Sequence, residues 1–512
     1  MPTTPVSRDR WSGLTFTGSR GAENPYQLVV PGDVIDDLLA NIFPIKNVLD
    51  AVILLVGVAM VLALILVFSL LLRLRQREIR TVFRENKDEE MPVNFNTKSA
   101  GRSLLAGAFC LLVAPVVPAA GFYLPEVGTP HSLGTGGVGN PTNRDGADAS
   151  WTNPAGMTGL DENEIVAGVQ FVLPKAKFDS SVATAGGSDG GNAGVAAPIP
   201  SFFYVNKLSD RLRLGFSLVA PLGGGLDYGD DFVGRYSTIN AELAGVALSP
   251  SLAWQVNDRL SLGAGVSIIY TVFNEDIAVN PALVPTGNGA DGKLKIEDAT
   301  DWGYQPFFGL TYQFSERALL GVVYRAEMDT DLDGDVKTKN LPGVIGADSI
   351  DISWNNPQWL EAGLSYKLDD KNTLLLNAGW QEWSKFSKNT LAFSGGLLNP
   401  AATVDRNWDN TWHGGVAFRH LNGDHGTSLG FSYESSPVDD KHRTFDLPMD
   451  EIFKGSFSYF WKGKKNLDFA IGSTLYWVGD ARIDQTSQGV RAKGKFDTNF
   501  ILFLGGTLKY TF

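Results

Sequence analysis

The sequence predicts an all-β protein: a fourteen-stranded antiparallel transmembrane β-barrel with an N-terminal hatch in its lumen, preceded by a leader that contains one predicted transmembrane helix. Three observations carry this. Beyond Gly121 no apolar run approaches the about 20 residues that a helix needs to cross a bilayer. What recurs instead is apolar alternation with period two, over stretches of 10 to 16 residues. Soluble strands run about 5–6 residues, whereas a tilted crossing of a bilayer takes about 9–11. Finally, six short polar connections alternate with seven long ones rich in Gly, Asp, Pro and Asn.

Composition narrows the field. Charged residues make up 19% of the 512, against a usual figure of roughly 25%, which is too apolar for a disordered chain. A net charge of −13 argues against a nucleic-acid partner, which would want a basic face. The single cysteine, Cys110, rules out a disulfide framework or a Cys-based metal site. His131, His413, His420, His425 and His442 form no ligand-spaced pair, so no metal is expected, and with no phosphate loop or GxSxG no cofactor and no catalytic residue is expected either.

The first 120 residues differ from the rest. Ala51 to Leu72 is an uncharged run of 22 residues, long enough to span. Asp50 marks one end, and Arg73, Arg75, Arg77 and Arg80 mark the other as cytoplasmic. The stretch RLRQREIRTVF resembles the sequence after a transmembrane helix in FtsX-like ABC-transporter permeases, a likeness confined to about residues 50–84. A second signal opens at Met91. Lys98 and Arg102 precede an apolar run from Leu104 to Val117, and Pro118-Ala119-Ala120 offers small residues, the form of a secretory signal peptide over 91–120. Residues 1–90 therefore read as an upstream extension joined to a secreted chain that starts at Met91, with a real anchored fusion as the alternative.

The barrel is expected over 163–512. Strands are placed near 163–173, 199–206, 211–220, 247–256, 259–273, 302–313, 317–331, 350–366, 371–387, 408–420, 426–436, 452–461, 466–480 and 497–512. In the last of these Phe500, Leu502, Leu504, Leu508 and Tyr510 share one face, while Asn499, Ile501, Phe503, Gly505 and Thr507 share the other. Along 317–331, Leu319, Gly321, Val323, Arg325, Glu327 and Asp329 are expected to point inward. Tyr270, Tyr324, Trp254, Trp477 and Tyr510 near strand ends suit interfacial girdles. In hydrocarbon every backbone polar group must be paired, which a sheet achieves only by closing on itself. An even strand number puts both barrel ends on the periplasmic side of an outer membrane, with the short turns.

Residues 121–162 do not alternate. They are small and turn-rich but include Phe122, Leu133, Trp151 and Met157, which suggests a plug folded into the lumen and not a free tail. A start at Gly-Phe, a Gly-rich run, and Asn153-Pro154-Ala155 before the first strand resemble the N-terminal hatch of the FadL/TodX family of outer-membrane transporters. The likeness continues through Asp301-Trp302-Gly303, Tyr324-Arg325-Ala326-Glu327, Trp380 to Phe386 (WQEWSKF), Ser436-Pro437-Val438 and Asp446-Leu447-Pro448. It implies a fourteen-stranded barrel in the cell outer membrane, a hatch closing its periplasmic side, and passive diffusion of long-chain fatty acids or related hydrophobic compounds with a lateral exit. Aromatic hydrocarbon uptake within the same family and a general diffusion porin are the alternatives. Phe512, ending an alternating strand, looks like the C-terminal signal read by the barrel-assembly machinery, and the chain is expected to act as a monomer in outer-membrane lipid.

Candidate site residues follow. Arg325 and Glu327 are read either as a structural network in the lumen or as holders of a cargo carboxylate, for which the forked donors of Arg are suited. Lys385 and Lys388 beyond Trp383 are further candidates, and Phe503 supplies an apolar inward face. The stretch TVFNEDIAVN (271–280), where a basic residue would help a carboxylate, is acidic, which favours a neutral hydrocarbon over a fatty acid. Pro221, Gly223, Gly224 and Gly225 close the third strand, where Pro removes a ladder donor and Gly weakens pairing, so the wall can kink and open sideways. An ordinary strand end is the plain alternative there. A barrel enzyme would need Ser and His on neighbouring strands; His413 and His420, seven apart, face opposite sides of one strand.

Overall fold

The computed structural model describes residues 130–282, 289–341, 348–394 and 401–512. Contacts divide the chain into Met1–Ala114 and Pro115–Phe512. The predicted helix at 51–72, the signal peptide at 91–120 and the first residues of the hatch lie outside the described residues.

Nineteen strand segments make fourteen crossings in one sheet. Nine crossings are continuous: β1 (Glu164–Ala183), β2 (Ala197–Lys207), β3 (Leu212–Asp227), β4 (Asn240–Gln255), β5 (Leu260–Val279), β6 (Gly292–Gln313), β15 (His425–Glu434), β16 (Ile452–Lys462) and β19 (Val490–Thr511). Five are broken in two: β7 (Ala318–Arg325) with β8 (Met328–Lys339), β9 (Ser349–Asn356) with β10 (Trp359–Lys367), β11 (Asn372–Gln381) with β12 (Lys388–Ser394), β13 (Ala401–Asp405) with β14 (Thr411–Asn422), and β17 (Leu467–Trp477) with β18 (Ile483–Ser487). All pairings between the named strands are antiparallel, and β1 closes the ring on β19 from Glu164 opposite Thr511 to Ala183 opposite Ala492. Two bonds tie the chain's last residue to the seam: Phe512 N–H donates to Asn163 at 2.9 Å, and Asn163 N–H donates to Phe512 at 3.2 Å.

The expected faces hold for most strands. Ile501 and Phe503 are buried on β19 while Leu504 is exposed, and Ile471, Leu475 and Trp477 are exposed on β17 while Thr474 and Tyr476 are buried. A sheet this apolar on its outer face, with Leu429 63% and Phe308 52% exposed, is matched to hydrocarbon and not to water.

Two expectations need correction. The seventh crossing changes phase at Ala326–Glu327, which belong to neither β7 nor β8. Arg325 is buried as expected, but Met328, Thr330 and Leu332 then take the inward positions, and Glu327 and Asp329 are exposed. These two residues outside the strand segments shift the period, so the inward set cannot be read through the break. Several long connections are also shorter than expected. Residues 481–496 are mostly β18 and the start of β19, which continue the barrel wall beyond the membrane band.

The breaks in four neighbouring crossings lie at one level, because Trp359 pairs with both Arg325 and Gln381, and Gln381 with Thr411. Pro357, which cannot donate to a ladder, occupies one of them. At this level Trp354, Trp383, Phe386 and Trp408 turn into the lumen and meet edge-on or tilted, with centroids 5.0–6.2 Å apart. This sets up an apolar upper lumen. Below it, inward residues are short and polar: Ser249, Ser251, Ser261, Ser267 and Thr311 are all buried.

We expect Leu429→Arg, on the outer face in the middle of β15, to cost about 2–4 kcal/mol in guanidinium unfolding from liposomes. Leu429→Ile should stay within about 1 kcal/mol in the same assay.

Candidate functional site

Three features occupy the lumen: a hatch, a cavity above it, and a gap in the wall beside both.

The hatch is built from pieces too short to satisfy their own backbone: α1 (Pro130–Thr135), α2 (Ala149–Thr152) and 3-10 turns at Asn140–Thr142 and Pro154–Gly159. Their carbonyls are answered by wall hydroxyls, as buried backbone groups require. Thr474 donates to Leu133 O at 2.6 Å, Ser432 to Gly136 O at 3.3 Å, and Ser251 to Ser150 O at 3.2 Å. Asn153 is fully buried. Its Oδ1 accepts from Ala155 N–H at 3.1 Å, capping the Pro154 turn, and its Nδ2 donates to Pro141 O at 2.6 Å and to Leu310 O of β6 at 3.2 Å. The wall beneath Asn153-Pro154-Ala155 is glycine: a Cβ on Gly309 would collide with Asn153 Oδ1, and one on Gly263 with the Ala155 amide. The motif is thus the seat of the hatch on β5 and β6.

Arg325 holds the hatch from its upper side, at the level of the strand breaks, and is 1% exposed. Its Nη2 donates to Trp151 O, Nη1 to Ser267 Oγ at 3.4 Å, and its guanidinium lies 3.8 Å from the Trp151 ring centroid and 4.4 Å from that of Phe307. Desolvated stacking of this kind is worth about 2 kcal/mol. At the short-turn end Arg419 Nη1 donates to Asp145, and its Nη2 lies 2.8 Å from His131 Nδ1. Burial, then the nearby Arg419 charge, depress the His131 imidazole to about 4.

The cavity measures about 630 Å³ and lies between the hatch and the long loops, a size suited to a small organic molecule. Its lining is mainly apolar, with Leu243, Phe273, Ile352, Trp354, Phe386 and Leu447 among its residues. One basic group enters it. Arg406, between β13 and β14, donates from Nη2 to Asp446 Oδ2 at 2.7 Å, from Nη1 to Thr444 Oγ1 at 3.0 Å, and from Nε to Asn389 Oδ1. Burial would raise the Asp446 carboxyl, but the Arg406 guanidinium outweighs it and holds it below the usual carboxylate range. Glu242 and Glu275 also line the cavity.

The gap lies between β2 and β3. Their ladder runs from Lys207 opposite Arg213 to Phe202 opposite Leu218 and stops. β2 nevertheless stays paired with β1 as far as Ala197 opposite Val172, and β3 stays paired with β4, interrupted by an irregularity between Val219 and Leu222. Contact to β3 resumes only where Val195 N–H donates to Gly225 O at 3.3 Å and Asp227 N–H to Ala193 O at 2.8 Å. The reason is chemical: Pro198 and Pro200 on one edge and Pro221 on the other have no N–H to donate. Inside the gap, Ile199 and Ala220 belong to one buried cluster with Leu133 of the hatch, Ile501 and Phe503. Gly224 and Gly225, at its upper end, line the cavity.

The sequence candidates therefore separate. Asn153, Pro154 and Ala155 seat the hatch. Phe503 stands behind the gap, its ring 4.7 Å from that of Tyr476. Pro221, Gly223 and Gly224 lie on the edge of β3 that does not pair with β2, and Gly225 accepts the Val195 bond at its upper end. Arg325 lies against the hatch and outside the cavity lining, while Glu327 pairs with Lys385 at 3.4 Å, both exposed, and Lys388 is exposed on β12. Sequence reading passed over Arg406 and the prolines of β2, and met Glu275 only as part of the acidic stretch 271–280. The alternation of Pro with Ala and Ile in APIPS (197–201) was the available signal for the last.

Arg325→Gln should cost about 1–3 kcal/mol of hatch docking, so hatch amides should exchange about 10–100 times faster by mass spectrometry. Arg325→Lys, lacking the planar fork, should not restore protection. His131 has a folded value below its free one near 6.5, so docking is favoured above about pH 6.5 and weakens as pH falls toward about 4. Ion conductance in planar bilayers should rise over that window in the parent and stay flat in His131→Gln.

Comparison with known proteins agrees with this architecture. The chain is 21% identical to the long-chain fatty acid transport protein of Salmonella typhi, over 74% of this chain and 93% of that one. Its fold matches the crystal structure of a Pseudomonas aeruginosa FadL homologue with a TM-score of 0.70, at 20% identity over 77% of this chain and all of that one. It matches the Ralstonia pickettii toluene transporter TbuX at 0.58, with 20% identity over 76% and 99% of the two chains. Residues 110–512 match the family described as outer membrane protein transport protein (OMPP1/FadL/TodX), and the chain belongs to that family of outer-membrane transporters.

Proposed function

We propose that this protein admits long-chain fatty acids or related hydrophobic compounds from its outer loops into the cavity and releases them sideways between β2 and β3 into the outer-membrane hydrocarbon, by passive diffusion. One observation carries this reading: the cavity lining includes Gly224 and Gly225, at the head of the unpaired edge of β3. An apolar molecule that leaves there never meets bulk water, which removes the largest barrier to its movement. The cluster of Leu133, Ile199, Ala220 and Phe503 stands across the exit, so hatch motion near Asn153-Pro154-Ala155 would govern release.

The names of the relatives divide between fatty acids and aromatic hydrocarbons, and the tail of the one and the ring of the other both suit an apolar lining. A general diffusion porin fits less well, since the hatch packs the lower lumen against the serine-lined wall. In this reading the protein acts as a monomer, and Phe512 at the seam is the residue offered to the barrel-assembly machinery.

Gly224→Phe and Gly225→Phe should leave folding intact and lower uptake of a labelled hydrophobic substrate about tenfold or more in whole cells, an effect of about 1.4 kcal/mol on the route. Unchanged uptake in both variants would sink the sideways exit.

A further inference from the structure

The cavity contains one cation among its described lining residues, and that cation is already neutralised. All three nitrogens of Arg406 are engaged, by Asn389 from the wall and by Thr444 and Asp446 from the loop between β15 and β16. Phe386 covers one face of the guanidinium, 5.7 Å away. The other acidic side chains in the described lining, Glu242 and Glu275, are both carboxyls and offer an anion no counter-charge. An incoming carboxylate would gain a counter-ion only by displacing Asp446 from Arg406. A neutral molecule meets aromatic and aliphatic walls and displaces nothing.

We infer that this cavity selects uncharged hydrophobic molecules, such as hydrocarbons or long-chain alcohols, and rejects long-chain carboxylate anions, with Asp446 as the specificity-determining residue. The inference rests on the cavity being the cargo chamber. Asp446 acts through Arg406: it occupies the position that a cargo carboxylate would need. Desolvating an anion without a partner is strongly unfavourable, whereas an alcohol hydroxyl can share an existing hydrogen bond. Removing the Asp446 charge while keeping its shape should convert the same chamber into a carboxylate site, because the buried Arg406, still held by Asn389 and Thr444, then lacks the Asp446 counter-charge, which a cargo carboxylate can supply.

The test is equilibrium binding of radiolabelled 1-dodecanol and dodecanoate to the purified barrel in detergent at pH 8, with partition into protein-free micelles subtracted. The parent protein should bind dodecanol at least tenfold more tightly than dodecanoate. Asp446→Asn should gain at least tenfold in dodecanoate affinity while dodecanol stays within about twofold, and retained dodecanol binding shows that the variant is folded. The double variant R406Q/D446N, with a neutral pair of similar shape, should bind dodecanol and show no gain for dodecanoate. Equal binding of the two ligands by the parent, or an Asp446→Asn protein that binds dodecanol but gains nothing for dodecanoate, overturns the selectivity and leaves the chamber reading standing. Binding of neither ligand by the parent overturns the chamber reading, and the selectivity with it.

Discussion

The constraint on which everything else depends is backbone hydrogen bonding in hydrocarbon. A strand in a bilayer has no water to satisfy its N–H and C=O groups, so the sheet must close, and the β1–β19 seam does so down to Asn163 and Phe512. Against that background the unpaired edge of β3 is exceptional. It is tolerated because prolines remove the donors that would otherwise stand unpaired, and because the hatch and Phe503 pack apolar groups behind it. The same constraint that seals the wall elsewhere thus explains why the interruption between β2 and β3 is lined with prolines and backed by apolar groups.

The hatch is the complementary case. A Gly-rich segment of one-turn helices cannot fold alone, since most of its carbonyls lie at helix ends. It borrows satisfaction from Ser251, Ser432 and Thr474, and it approaches the wall closely only where Gly263 and Gly309 leave room. A polar lower lumen is therefore a docking surface and not a water channel. The upper lumen becomes apolar at the level where four crossings break, since each break releases side chains from strict alternation and lets Trp354, Trp383, Phe386 and Trp408 converge.

Charge is distributed to the same end. Arg325 and Arg406 are both inside the barrel and both held by named partners, Arg325 by the hatch and aromatic rings and Arg406 by Asp446, Thr444 and Asn389. Buried guanidinium groups need such partners, because an unpaired ion in this setting would carry a large desolvation penalty. The first helps to keep the hatch seated, and the second leaves the cavity without an uncommitted cation among its described lining residues.

The primary structure by itself determined the class of fold. Period-two alternation, strand lengths, turn composition and the terminal Phe512 are local, and lipid enforces their meaning, so strand number and most inward faces were legible from residues such as Ile501 and Phe503. The hatch was legible because Trp151 and Met157 do not belong in a free tail. Only the tertiary structure decided what breaks the pattern: the phase change after Arg325, the lining up of four interruptions, and the meeting of Arg406 with Asp446 from a loop 40 residues away. Those depend on how neighbouring strands register around a closed ring, and no periodicity within one strand carries that information.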